Sequence, residues 1–351
     1  MNNGVGVGNE AHRRHARALV WPVLPLAAAG WWVVGALPWM IDGLGARSPR
    51  NWPNDVSAGS ATDGYISLLP FTTVHLGLLL TITLVGGAVA ALATLWVSPR
   101  VRARGRRLAS VSLATLGGLT AAAYATAQSA GATRQLGSDF DRDDRVMVGV
   151  LAVAAVGTLL GLVLGLVVVL SRSVLRALAA APLAVALASW VSADVVSLIG
   201  AERGRWLLEW TPYVTAVAVG LALAGLGVRS LWRLATWPAV LLLVAACTAG
   251  QTAFGYLASS LRPRSGLPNG LRDHVEASRD VFIEALRPEH QLWGVYAVAL
   301  AVGLLGSAVL WRRHGPGSLT PSTSVRPVAT TAAATTPADS ASAVRADARA
   351  R

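Results

Sequence analysis

The sequence predicts an all-α fold, a polytopic membrane helix bundle of about eight transmembrane helices, and three observations carry that prediction. Apolar stretches long enough to cross a bilayer recur along the chain. Charged residues make up only 14% of it, against about 25% in a soluble domain. The loops between the stretches alternate between arginine-only and acid-rich.

A bilayer core takes roughly 20 apolar residues per helix. The first such stretch, Ala18–Ile41, follows a short segment, 1–17. It is Trp-rich and too long for a signal peptide, and it lacks a small-residue cleavage site. The second, Phe71–Val97, holds a single ionisable side chain, His75. The third, Leu108–Ser129, opens after the basic run Arg100–Arg107. The fourth, Val146–Leu170, repeats Gly157, Gly161 and Gly165 on one helical face, where another backbone can approach closely. The fifth, Ala177–Ile199, and the seventh, Ala235–Ser259, carry Pro182 and Pro238 near their starts. Pro212–Leu231 is the sixth and Leu292–Trp311 the eighth. Eight tryptophans, among them Trp21, Trp39, Trp210 and Trp293, fall near the predicted interfaces, where amphipathic rings settle.

Between the last two stretches, the segment 262–291 spaces Leu271, Val275, Phe282 and Leu286 as on one face of a helix, opposite Arg272, Glu276, Arg279 and Asp280. It predicts a short amphipathic helix on the membrane surface or over the bundle mouth, capped by Asn269 and stopped by Pro288. Domain organisation is therefore simple: a transmembrane domain over 18–311 between the N-terminal segment and a tail, 312–351. The tail is rich in Ala, Thr, Ser and Pro without apolar periodicity, so it is expected to be disordered.

Charge sets the orientation. Arg13, Arg14 and Arg17, the Arg100–Arg107 cluster, Arg172 and Arg176, Arg229 and Arg233, and Arg312 and Arg313 all fall on one side of an eight-span chain. The other side, counting helix ends, holds every acid except Glu10, Asp339 and Asp347. The positive-inside rule then places both termini in the cytoplasm. The odd-numbered stretches open alike, with an Arg before an apolar run. Pro22, Pro182 and Pro238 follow five or six residues later in three of them. This predicts four two-helix hairpin repeats in parallel orientation.

Composition removes several chemistries. All 30 basic residues are Arg, so a Schiff-base lysine and a P-loop lysine are absent. The lack of Lys beside abundant Ala, Gly and Val reads as high-GC codon usage and points to a bacterial plasma membrane. Cys247 is the single cysteine, which excludes an internal disulfide and a Cys-based zinc site. The net charge of +12 sits at helix ends, not on a face with interleaved aromatics, so nucleic acid is not an expected partner. One of the six histidines lies in a span, too few for haem held by two helices. The run Asp139–Asp144 lacks the glycine and glutamate of a calcium loop. No cofactor or metal is expected.

Polar residues in the spans gather near the exterior ends: Asp42, His75, Gln128, Asp194 and Gln251. Asp194 and Gln251 follow their opening arginines, Arg176 and Arg233, at the same interval, which predicts a common depth. These five are the candidate substrate-binding residues of an exterior-facing polar vestibule. No catalytic residue is assigned, and the chain is more naturally a non-enzyme. Three functional readings follow. The first is a transport or translocation component with a cavity reaching toward the midplane. The second is a non-catalytic subunit or scaffold acting through a protein partner or a homo-oligomer, with a tightly packed bundle. The third is an exterior-facing membrane enzyme on a lipid-linked substrate, using Asp42, Asp194 or His75.

Overall fold

The computed structural model describes residues 21–45, 66–72, 75–97, 104–135, 145–228, 231–260 and 271–313. The N-terminal segment, the acidic run 139–144, Asn269 and the tail from 314 lie outside them. Among the described residues the chain is helical, with one isolated antiparallel bridge between Gly45 and Ile66 and no strand. The helices are α1 (Val23–Gly35), α2 (Leu37–Ile41), α3 (Leu76–Leu92), α4 (Thr94–Val97), α5 (Arg104–Gln135) and α6 (Arg145–Leu170). They continue with α7 (Ser173–Ile199), α8 (Arg205–Leu208), α9 (Thr211–Leu226), α10 (Leu231–Ser260), α11 (Leu271–Ala285) and α12 (Trp293–Arg313).

Six helical stretches are long and apolar enough to cross a membrane: Arg107–Arg134, Met147–Leu170, Ser173–Ile199, Arg205–Leu226, Leu231–Ser259 and Trp293–Arg312. Val23–Gly35 and Leu76–Leu92 are apolar but shorter. Large apolar side chains stand exposed along these helices, for example Val156, Leu159, Leu160 and Val163 on α6. A surface of that kind suits lipid, and the chain is built as a multi-pass membrane protein.

The first predicted stretch is interrupted, and Pro38 explains the break. Pro38 has no N–H to give the carbonyl of Val34, and its ring crowds that carbonyl. The helix stops at Gly35 and resumes at Leu37. The indole Nε1 of Trp190, on α7, donates to Val34 O at 3.0 Å and to Gly35 O at 3.2 Å. A side chain distant in sequence thus satisfies the carbonyls the proline leaves open.

The neighbour relations have an order. In the first half α1 packs on α3 and α5, and α3 packs most extensively on α6. In the second half α7 packs on α9 and α10, and α9 packs most extensively on α12. Each half has its own apolar core. One runs from Val23 and Trp31 to Leu79, Val150 and Leu162. The other joins Ala181, Ala216, Leu223, Val240 and Ala299. A third, small cluster of Leu84, Val85 and Ala186 bridges α3 and α7.

Glycines draw the closest pairs together, as the spacing on α6 predicts. A Cβ on Gly161 would collide with the Leu84 backbone of α3, and one on Gly165 would lie 2.7 Å from Ala91 Cβ. The α9–α12 seam uses the same device, since a Cβ on Gly220 would lie 2.6 Å from Val302 Cβ and one on Gly306 2.5 Å from Ala224 Cβ. Arginines at the helix ends bind carbonyls. Arg107 donates to Leu170 O at 3.3 Å, and Arg233 to Leu226 O at 3.4 Å. A cation at a helix C-terminus also complements the helix dipole.

Candidate functional site

The second half encloses a cavity of about 830 Å³. Its deep wall starts at Val185 and Val244, near the midpoints of α7 and α10. It rises past Ser189, Ser192, Thr248, Gln251 and Thr252 to a mouth where Asp280, Glu284, His290 and Leu292 are exposed. Thr211 and Thr215 of α9 and Val295 and Tyr296 of α12 complete the wall.

The hydroxyls have a common polarity. Thr248 Oγ1 donates to Val244 O at 3.0 Å, and Thr252 Oγ1 to Thr248 O at 3.2 Å. Ser192 Oγ bonds Ala188 O at 3.0 Å and Thr211 Oγ1 at 2.8 Å. Thr211 Oγ1 donates to Leu208 O at 2.8 Å, and Thr215 Oγ1 to Ala184 O at 3.2 Å. Serine and threonine satisfy themselves in this way inside helices. The threonine protons go to backbone carbonyls, so their lone pairs remain as acceptors, while Ser189 and Ser192 each share one proton between a backbone carbonyl and a side-chain oxygen. Gln251 Oε1 accepts from Ser189 Oγ at 3.1 Å, while its Nε2 donates to no described residue. The lining favours a ligand that carries N–H donors or, at Asp280 of the mouth, positive charge, since Glu284 is balanced by Arg287 at 3.1 Å.

Helix α11 roofs this cavity and is fastened at its middle and at its C-terminal end. Ser278 Oγ donates to Ala253 O of α10 at 2.9 Å. Gln291 Nε2 donates to Ala285 O at 2.6 Å, and Tyr296 Oη donates to Gln291 Oε1 at 2.5 Å. The predicted apolar stripe is only in part the face it packs with: Val275 is 53% and Leu286 37% exposed, whereas Phe282 is half-buried together with Ala277, Ser278, Val281 and Ala285. Small residues let α11 lie close to α10. Pro288 does not end α11, which stops at Ala285; it opens a 3-10 turn, Pro288–His290.

The five predicted site residues do not share one vestibule. Gln251 alone of them lines the cavity. Its bond to Ser189 sets it beside a residue five positions before Asp194, about 7.5 Å along the helix axis, so the expected common depth is not found. Asp194 has a buried Oδ1 without a hydrogen-bond partner and lies outside the cavity lining. Gln128 belongs to a different structure. Its Nε2 donates to Ile66 O at 2.6 Å, and its Oε1 accepts Leu68 N–H at 3.0 Å. Ser129 Oγ accepts Leu69 N–H at 2.8 Å, and Trp39 Nε1 donates to Ser67 O at 2.8 Å. This holds segment 66–72, with Ser67, Leu69 and Thr72 buried, against α2 and α5. His75 Nδ1 pairs with Thr72 Oγ1 at 2.8 Å, and its ring lies 5.8 Å from that of Trp39. Asp42 caps the end of α2. Sequence reasoning missed the serine and threonine wall, whose only sequence signal is the recurrence of hydroxyl residues on α7, α9 and α10.

Glu284, Glu289 and His290 offer three ligand atoms within 4.8 Å of one another at the cavity mouth. Arg287 already pairs with Glu284 at 3.1 Å and with Glu289 at 3.7 Å, and its positive charge opposes a metal cation there. Comparison with protein-family models, with curated proteins and with solved structures gives no match to this chain, so its chemistry is read from its own residues.

Proposed function

We propose that the protein is a transport or translocation component of a bacterial plasma membrane that takes a small donor-bearing or cationic molecule into the cavity between α7, α9 and α10. The observation that carries this reading is the cavity of about 830 Å³ with its acceptor-rich wall, extending from the helix midpoints to an acidic mouth. A space of that size lies in the range of small-molecule sites, roughly 300–1,000 Å³. The arginine distribution supports eight spans with both termini cytoplasmic, in which α1–α2 and α3–α4 complete the two short crossings. The mouth then faces the exterior.

We further propose that the chain is a four-helix unit used twice, a longer period than the hairpin the arginines favour. The recurring neighbour order supports it, and so does the sequence. Gly149-Val-Leu-Ala-Val-Ala154 on α6 parallels Gly294-Val-Tyr-Ala-Val-Ala299 on α12, and Leu159-Leu-Gly161 parallels Leu304-Leu-Gly306 at the same interval. Val150 and Ala154, like Val295 and Ala299, are buried in their respective cores. On α5 and α10, Gln128-Ser-Ala130 parallels Gln251-Thr-Ala253.

The test of the transport reading is native mass spectrometry of the protein released from mild detergent. The wild type is expected to retain a discrete small molecule, and Thr248→Trp, which fills the cavity, to lose it. Equal masses of bound material in both, or none in either, would remove the cavity from the function.

A further inference from the structure

We infer that the cavity is a receptor for an extended peptide segment, recognised through its backbone amides by Gln251 and Thr252. This deepens the transport reading and rests on it. The argument is that the same site exists twice and is filled once.

In the first half, segment 66–72 leads into α3 and lies against α2 and the exterior end of α5. It is held as a ligand would be. The amide of Gln128 pairs with both the carbonyl of Ile66 and the N–H of Leu68, at 2.6 and 3.0 Å. That two-point contact is how one strand reads the backbone of another. Ser129 Oγ then accepts the next N–H, that of Leu69, at 2.8 Å.

The second half repeats the binding groups without the occupant. Gln251 and Thr252 stand where Gln128 and Ser129 stand in the Gln-Ser/Thr-Ala parallel, and both line the cavity. The chain leading into α9 does not enter. It turns into α8, where Arg205 and Trp206 are exposed. Gln251 Nε2 has no described acceptor, and Thr252 has given its proton to Thr248 O. Gln251 Oε1 accepts from Ser189 Oγ with one lone pair and keeps the second, so the cavity offers a donor and two acceptors in the order that a peptide carbonyl and two N–H groups require. Asp280 at the mouth favours a neutral or basic peptide over an acidic one.

The probe is the occupant of the first site, acetyl-Ile-Ser-Leu-Leu-amide, added to the full-length protein in detergent and followed by native mass spectrometry. The control is its ester analogue, in which oxygen replaces the Ser–Leu amide N–H. The amide probe is expected to bind the wild type, with at least tenfold weaker binding for the ester analogue and for Gln251→Leu. Equal binding of both probes by the wild type, or no binding of the amide probe, overturns the inference, and neither outcome depends on how a variant folds. Should the wild type retain an endogenous small molecule that Thr248→Trp loses, while ignoring both probes, the transport reading stands and the peptide receptor falls. Should neither small molecule nor probe be found, both fall.

Discussion

Trp190 and Pro38 form a unit that neither residue explains alone. The proline opens two carbonyls in α1, and the indole N–H closes them at 3.0 and 3.2 Å. Trp190→Phe keeps the ring and removes the donor, leaving the Val34 and Gly35 carbonyls without the indole N–H. It is expected to lower stability in detergent by about 1–2 kcal/mol, read as a fall in thermal midpoint. Pro38→Ala returns an N–H to Val34 O, so the same Trp190→Phe change should then have a smaller effect. A coupling below about 0.5 kcal/mol in that cycle would mean the indole bond is incidental. The site is equally specific at this scale. Gln251→Leu should weaken retention of the cavity ligand in native mass spectra, whereas Asp194→Asn, outside the lining, should leave it unchanged. The reverse result would restore the vestibule that the polar residues of the sequence predict. Of the cavity only Gln251 was legible in advance, because an amide in an apolar run stands out. Ser189, Thr248 and Thr252 did not stand out. A hydroxyl that bonds its own helix is tolerated at any depth, so its position carries no signal until the helices are assembled.

At the scale of elements the glycine seams set which helices meet. Gly157, Gly161 and Gly165 announced the α6 seam by their spacing, and α3 fills it. The second seam was illegible, because its glycines are divided between α9 and α12 with no run on either. The exchange at one position is informative. Gly157 of α6 faces Thr83 of α3, while Gly220 of α9 faces Val302 of α12. Under the proposed four-helix repeat these are equivalent positions, at which the small residue has changed sides. Gly220→Ala places a Cβ 2.6 Å from Val302 Cβ and should cost about 1–3 kcal/mol by overpacking. Adding Val302→Gly should recover part of that loss, despite the lower helix propensity of glycine. Gly131→Ala, with nothing within 4 Å, should instead raise stability by up to about 1 kcal/mol. Thermal unfolding of these variants in one detergent decides the matter, and loss of stability in Gly131→Ala equal to that in Gly220→Ala would deny the seam its role. Helix α11 was foreseen as an element and its facing only in part: Phe282 of the predicted stripe is half-buried, while Val275 and Leu286 are exposed and Ala277 and Ser278 take their place.

For the whole molecule, apolar length and charge alternation were enough to predict a membrane bundle, and the long helices α5, α6, α7, α10 and α12 occupy the stretches foreseen. What they could not foretell is that the halves meet asymmetrically, with α7 against α3, α6 and α2, since that depends on side chains distant in sequence, such as Trp190 on the broken first helix and Ala186 on Leu84 and Val85. Orientation remains the property on which the direction of the cavity depends. Helix α7, Ser173–Ile199, has 27 residues and is about 40 Å long, more than the roughly 30 Å of a bilayer core. Its ends therefore emerge on opposite sides if it crosses. Arg172 precedes its first turn, and Ala201 follows the exposed Gly200 at its other end. With Cys247→Ser removing the chain's one thiol, Ala201→Cys and Arg172→Cys report the two sides through a membrane-impermeant maleimide. Ala201→Cys is expected to label in intact cells and Arg172→Cys only after permeabilisation. The opposite pattern would invert the protein and turn the acidic mouth to the cytoplasm. The same cavity would then draw from the cell interior, and any peptide it takes would be a cytoplasmic one.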